Sequence, residues 1–138
     1  MAQLTEARSG HYPLGLLVLR IATGLFFLVW ALDKLVNPKH TLAVFEKFYF
    51  MPISVTVALA LGVAQTAIVI AFMVGLYKKW TTLALLAMHS VALASTWSHL
   101  ISPYSGGPGL VFWAAVPVWA GLLLLWLCRD DDRLWSIH

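Results

Sequence analysis

The stretch GLFFLVWALDKLVNPKH, residues 24–40, decides the fold class: nine apolar residues are followed by an acid, two bases and a histidine. Lipid solvates neither Asp33 nor Lys34, so these charges mark a membrane boundary, a mutual pair or a site. The apolar run extends back to Tyr12, and roughly 20 apolar residues are enough to cross a bilayer. The stretch therefore predicts a membrane-spanning helix that leaves the lipid at Asp33 and Lys34.

The whole chain has the composition of a membrane protein. Of its 138 residues, 61% are hydrophobic and 11% are charged, whereas soluble domains have about 45–50% apolar and about 25% charged residues. Seven tryptophans agree with this class, because indoles favour the lipid–water interface. The net charge of +3 follows membrane topology and gives no case for nucleic-acid binding. The single Cys128 excludes an internal disulfide or dithiol pair.

Four apolar segments are long enough to span a membrane, at about residues 12–35, 56–77, 81–99 and 109–128. Their separators act as boundaries: YKKW, residues 77–80, is a basic turn with interfacial aromatics, and SPYSGGPG, residues 102–109, breaks helices. The fold class predicted for residues 1–138 is therefore a single all-α integral membrane domain, a bundle of four transmembrane helices.

A shorter helix is predicted at about residues 38–49, between the first two spans. Asn37 is a favourable N-cap and Pro38 a favourable first residue. Three apolar residues then recur at helical spacing, namely Leu42, Phe45 and Tyr49. One apolar stripe on a short helix is typical of an amphipathic segment that lies along the membrane interface.

The basic residues predict the orientation of the bundle. Five lie on one side (Arg8, Lys78, Lys79, Arg129 and Arg133) and three on the other (Lys34, Lys39 and Lys47). The side that is richer in basic residues is normally cytoplasmic, so both termini are expected in the cytoplasm.

Three polar residues are predicted to lie inside the membrane: Arg20, Gln65 and His89. Arg20 lies about 10 Å into the first span, and His89 lies at a similar depth in the third. Polar groups in lipid seek partners, so the three are expected to form one network that faces the bundle interior. Two alternatives stay open. Arg20 extends to the cytoplasmic headgroups instead, or Gln65 and His89 bond only to neighbouring backbone.

A second group of polar and aromatic residues is predicted near the opposite membrane surface. It comprises Trp30, Lys34, Glu46, Trp97 and His99. A cationic donor flanked by indoles at headgroup depth suits a quinone carbonyl or a lipid headgroup, so these residues are the candidate ligand-binding site. The alternative is an ordinary aromatic belt with extended lysines. His40 shares this side with His99, but no metal-ligand spacing accompanies them, so no metal is expected.

Sequence motifs of catalysis are absent: there is no nucleotide-binding loop, zinc-protease motif, Ser/His/Asp order or pair of catalytic carboxylates. The sequence therefore assigns no catalytic residue and leaves open whether the protein is an enzyme. The acidic run at residues 130–132 is interpreted as a solvated tail.

Several stretches resemble the DoxX family (DoxX, DoxD and the related MauE-type proteins), which are four-helix membrane proteins of bacteria and archaea. These stretches are VLRIATGLFFLVWALDKL, AVFEKFYFMP, LGVAQTAIVIAFMVGLYKKWTTLALLAMH and the closing DRLWSI. Arg20, Gly24 and Lys34 match the pattern of the family's first helix, and His99 matches a histidine of some members. Gln65 stands where many members have glutamate, and this departure puts a proton-relay role in doubt.

The resemblance implies a protein of the bacterial or archaeal cytoplasmic (inner) membrane. Relatives have been assigned to quinone-linked sulfur oxidation, as a membrane subunit of thiosulfate:quinone oxidoreductase. The expected function is therefore an accessory subunit of a quinone-linked redox complex, with a quinone or lipid site and no covalently bound cofactor. Expected partners are membrane lipids and other membrane or redox subunits, or further copies of the chain. The alternatives are a quinone-dependent oxidoreductase subunit, or a small membrane protein for metal transport or assembly.

Overall fold

The computed structural model of the chain describes residues 10–137, and Arg8, one of the residues used for the orientation, lies outside them. The described part is helical and contains no strand. Its helices are α1 (Tyr12–Val36), α2 (Pro38–Tyr49), α3 (Val55–Met73), α4 (Lys78–Ser95), α5 (Trp97–Ile101), α6 (Gly109–Phe112) and α7 (Ala115–Leu127).

Three helical segments in the described residues are long and apolar enough to cross a membrane. They are α1, α3 and the run Gly109–Leu127, which joins α6 and α7. The span predicted at about residues 81–99 is not among them, because α4 begins with Lys78 and Lys79 and also contains threonines, serines and a histidine. The structure therefore confirms an all-helical membrane protein, and the fourth span stays a prediction.

The short helix between the first two spans begins at the predicted residue. The Asn37 backbone N–H donates to the Asp33 carbonyl at 2.7 Å and closes α1, and Pro38 opens α2. Phe50 then adopts a left-handed conformation (φ 52°), which ends α2 after Tyr49. The segment is helical, as predicted; its position along a membrane surface stays a prediction.

Helices α1 and α3 pack closely and antiparallel. A Cβ atom at Gly24 would lie 2.2 Å from Met73 Cγ, and one at Gly62 would lie 2.7 Å from Leu35 Cδ2 and 2.9 Å from Lys34 Cβ. A side chain at Gly62 would press on the Lys34 Cβ, and one at Gly24 would displace the Met73 side chain, so glycine lets the two helices approach closely at both positions. Gly24 and Lys34 therefore lie on the face of α1 that packs against α3.

Helix α4 packs antiparallel to α7. The His89 ring nitrogen Nε2 lies 2.8 Å from the Ala115 carbonyl oxygen near the start of α7, and Lys78 at the start of α4 donates to the Asp132 carbonyl oxygen just beyond the end of α7. The core between the helices is apolar and consists of Leu16, Phe27, Val69, Phe72, Leu85, Leu122 and Leu125.

The last apolar segment is interrupted at Trp113 and Ala114, between α6 and α7. Pro117 explains the break, because proline has no N–H to give to the carbonyl four residues earlier, at Trp113. The Val116 N–H donates to that carbonyl oxygen instead, at 3.1 Å.

The bundle has two distinct ends. The tail end holds residues 74–77 and 128–137, and the aromatic end holds α2, α5 and α6.

Candidate functional site

Arg20 is a charged residue buried inside the bundle, with only 1% of its surface exposed. Its Nη1 donates to Asp132 Oδ2 at 2.5 Å and to Ser136 Oγ at 3.1 Å. Its Nη2 donates to the carbonyl oxygens of Leu134 and Trp135, at 2.6 and 3.0 Å. Every acceptor belongs to residues 132–137, which we name the C-terminal clasp. A residue of the first helix therefore holds the end of the chain.

Two further contacts fix the C-terminal clasp against the tail end of the bundle. The Ile137 N–H donates to the Val74 carbonyl at 3.1 Å, and the Lys78 ammonium donates to the Asp132 carbonyl oxygen. A Cβ atom at Gly75 (φ +73°) would lie 2.8 Å from Ser136 Oγ and 2.9 Å from its Cα. The clasp thus fits against a turn that has no side chain at this position.

The structure corrects the prediction that residues 130–132 form a solvated tail. Asp132 is only 3% exposed, because its carboxylate pairs with Arg20. The Nε of Arg20 and the Oδ1 of Asp132 are buried without a hydrogen-bond partner in the described residues. This ion pair is therefore incompletely satisfied and depends on its one direct contact.

The predicted network of Arg20, Gln65 and His89 is also wrong. The guanidinium bonds to the C-terminal clasp, and His89 bonds to the backbone of Ala115 and packs edge-on against Phe27 at 5.3 Å. No hydrogen bond in the described residues joins Gln65 to Arg20 or His89. The physical reason is charge: a carboxylate stabilises a buried guanidinium better than a neutral amide or imidazole does. The backbone alternative named for His89 is the one observed.

At the aromatic end, Lys34 has partners on its own helix. Its ammonium donates to the Trp30 carbonyl at 3.1 Å, and its stem packs against Gly62 of α3. The Trp30 ring stacks on His40 with centroids 6.5 Å apart, and His40 Nδ1 lies 2.6 Å from Asp33 Oδ2. These contacts join the end of α1 to the start of α2.

His99 lies in a separate group of rings from three helices, which we name the aromatic box: Phe48 of α2, His99 of α5 and Phe112 of α6. His99 stacks on Phe112 with centroids 4.7 Å apart and planes 14° apart, and Phe48 packs against both at 6.0 and 5.7 Å. No residue described by the structure forms a hydrogen bond with the His99 ring nitrogens. The box therefore offers an apolar stacking surface beside one polar ring.

The predicted ligand site is thus divided. Lys34 and Trp30 lie together and His99 lies in the aromatic box, whereas no hydrogen bond or ion pair in residues 10–137 joins Lys34 to Glu46 or His99. Glu46 and Trp97 are exposed. Sequence reasoning missed Phe48 and Phe112, because each follows an apolar pattern that has an ordinary packing explanation. Across residues 10–137, no three His, Cys, Asp or Glu side chains are grouped so that they could hold a metal ion.

A comparison with protein-family models matches residues 15–99 of the chain to DoxX. The match covers more than half of the 138 residues and contains Arg20, Lys34 and His99; Phe112 and the C-terminal clasp lie beyond it. No curated protein and no solved structure matches the chain. The family match agrees with the helical fold and its apolar spans. The chain belongs to the DoxX family.

Proposed function

We propose that this DoxX-family membrane protein is an accessory subunit of a quinone-linked redox complex, and that its aromatic box binds the quinone headgroup. One observation carries the proposal: His99 stacks on Phe112 while its ring nitrogens have no hydrogen-bond partner in the described residues. The box therefore combines apolar ring faces with a polar ring that has no partner in the described residues.

This combination suits the chemistry of a quinone. The headgroup is a planar ring with two carbonyl oxygens, so it needs an aromatic face for stacking and an N–H donor for a carbonyl. Small-molecule sites are mostly apolar and contain few, well-placed polar groups. Phe48 and Phe112 provide the faces, and His99 provides the donor.

The other predicted residues of this end have supporting roles in the proposal. Lys34 and Trp30 lie at the α1 side of the aromatic end, where the Lys34 ammonium donates to the Trp30 carbonyl of the same helix. The exposed Trp97 and Glu46 lie on α5 and α2, beside the box residues His99 and Phe48. An exposed indole at a helix end suits the lipid headgroup region, so Trp97 supports a box at a depth that a lipid-soluble quinone reaches.

The proposal includes a location and a topology. The protein lies in the cytoplasmic membrane of a bacterium or archaeon, with α2 along the outer surface and both termini in the cytoplasm. Helix α4 is the fourth span, and the contacts of its Lys78 with the C-terminal clasp and of its His89 with the start of α7 support this placement. The partners are membrane lipids and other redox subunits or further copies of the chain, which contact the outer faces of the bundle.

Cysteine accessibility tests the topology. In a Cys128→Ser background, Ser105→Cys is expected to react with an impermeant maleimide added outside intact cells, because its loop joins α5 to α6 at the aromatic end. Lys79→Cys, at the tail end, is expected to react only after the membrane is permeabilised. The reverse labelling pattern would show that the protein is inverted.

Quinone content tests the ligand. His99→Phe keeps a ring for stacking and removes the N–H donor, so the quinone that co-purifies is expected to fall at least about fivefold, as an orphaned polar contact of about 1–3 kcal/mol implies. His40→Phe is the matched control, because His40 lies at the same end and already has Asp33 as its partner. Unchanged quinone in His99→Phe, or an equal loss in both variants, would contradict the proposal.

A further inference from the structure

We propose that the C-terminal clasp lies in the lipid–water interface, with its polar side held by Arg20 and its apolar side chains in contact with phospholipid. This inference concerns the tail end of the bundle and does not depend on the quinone proposal. It assigns a lipid-binding surface to residues 132–137, which extend beyond the family match.

The position of Arg20 in α1 indicates the depth of the clasp. Arg20 lies eight residues after the start of α1 at Tyr12, which is about 12 Å along a helix at 1.5 Å per residue. Helix α1 is long and apolar enough to span the membrane. A residue at this depth directs its side chain toward the near surface. The clasp bonds directly to its guanidinium, so the clasp lies at headgroup level and not in bulk water.

Polar and apolar groups of the clasp are separated. Its inward groups are the buried Asp132, the Ser136 hydroxyl and two backbone carbonyls, all bonded to Arg20. Apart from Arg133, its exposed side chains are apolar: Leu134 is 40% exposed, Trp135 is 81% exposed and Ile137 is 56% exposed. Three exposed apolar side chains in so short a segment are unfavourable in water but suit lipid, and indoles favour the interface.

The surface beside the clasp is an apolar groove. An apolar groove of about 490 Å³ runs between Trp135, Ser136 and Ile137 of the clasp and Ile21, Met73 and Val74. Ile21 and Met73 are half-buried residues of spanning helices, so the groove lies beside the apolar surface of α1 and α3. Arg133, exposed in the same clasp, adds a cation that suits a lipid phosphate. The occupant that fits is a phospholipid, with its acyl chain in the groove.

Spin-label depth measurements test this inference in full-length protein in phosphatidylglycerol and phosphatidylcholine vesicles. Labels are placed by Trp135→Cys, Ile137→Cys and the control Asp130→Cys, each with Cys128→Ser. We expect the labels at 135 and 137 to be reached better by oxygen than by a water-soluble nickel complex, and the label at 130 to show the opposite. Equal nickel accessibility at all three positions would overturn the lipid contact.

A second pair of variants tests the anchor. Asp132→Asn removes the carboxylate that Arg20 holds, and we expect it to move the label at 135 into water, whereas the neighbouring Asp131→Asn leaves the label in place. A label at 135 that keeps its depth in Asp132→Asn would show that the Asp132 carboxylate is not needed to hold the clasp in the interface, and would contradict the anchor proposed for it. The labels at 135 and 137 in protein that keeps Asp132 test the lipid contact even if Asp132→Asn does not fold.

Discussion

Asp132→Ala lowers the free energy of unfolding by about 3–5 kcal/mol, the range expected when one partner of a buried ion pair is removed. Arg20 is then left buried, with its Nη1 bonded only to Ser136. The unpaired charge also weakens the hold of α1 on the rest of the C-terminal clasp. The measurement is reversible unfolding of the detergent-solubilised protein by SDS, followed by circular dichroism.

The control for this prediction is Asp130→Ala, two residues earlier in the same acidic run and exposed. A surface substitution of this kind changes stability by no more than about 0.5 kcal/mol. Replacement of both partners, Arg20→Leu with Asp132→Leu, is expected to be less harmful than the sum of the single changes, because no charge remains unpaired. If Asp132→Ala were as stable as Asp130→Ala, the ion pair would have no structural role.

Gly75→Ala is expected to lower the free energy of unfolding by about 2–5 kcal/mol, as the sum of two effects. The residue has φ +73°, a left-handed conformation that disfavours any Cβ. The new Cβ would also lie 2.9 Å from the Ser136 Cα, which is backbone and cannot rotate away. The substitution therefore both strains the turn and displaces the C-terminal clasp.

Gly106→Ala separates these two effects. Gly106 has a similar φ of +83°, but nothing lies within 4 Å of a Cβ atom built there. Its substitution carries only the conformational term, about 1–2 kcal/mol. The same unfolding measurement compares the two variants, and equal losses of stability would mean that the clasp does not press against Gly75.

The sequence predicted the helices well where composition and local signals agree. The first span and the short helix at about residues 38–49 lie within one residue of α1 and α2, because Asn37 and Pro38 mark the boundary between them. The second span was predicted to continue to about residue 77, yet α3 ends at Met73. Residues 74–77 are apolar, and apolarity does not reveal that Gly75 and Tyr77 have positive φ.

The sites were harder to predict, since they depend on contacts between distant parts of the chain. Burial of Arg20 follows from its position in an apolar helix, but Asp132 lies 112 residues away and looked solvated in a run of three acids. His99 was predicted as a site residue, whereas its stacking on Phe112 depends on how α5 and α6 meet. Periodicity reports which face of a helix is apolar and not which helices that face will meet.

Calorimetric titration of a short-chain quinone into the purified protein in lipid nanodiscs tests directly whether the aromatic box binds a quinone. We expect saturable binding to the wild type, unchanged in His40→Phe and weakened about five- to 150-fold in His99→Phe, as the loss of about 1–3 kcal/mol requires. Saturable binding with the same Kd in His99→Phe as in the wild type would contradict a quinone site in the aromatic box.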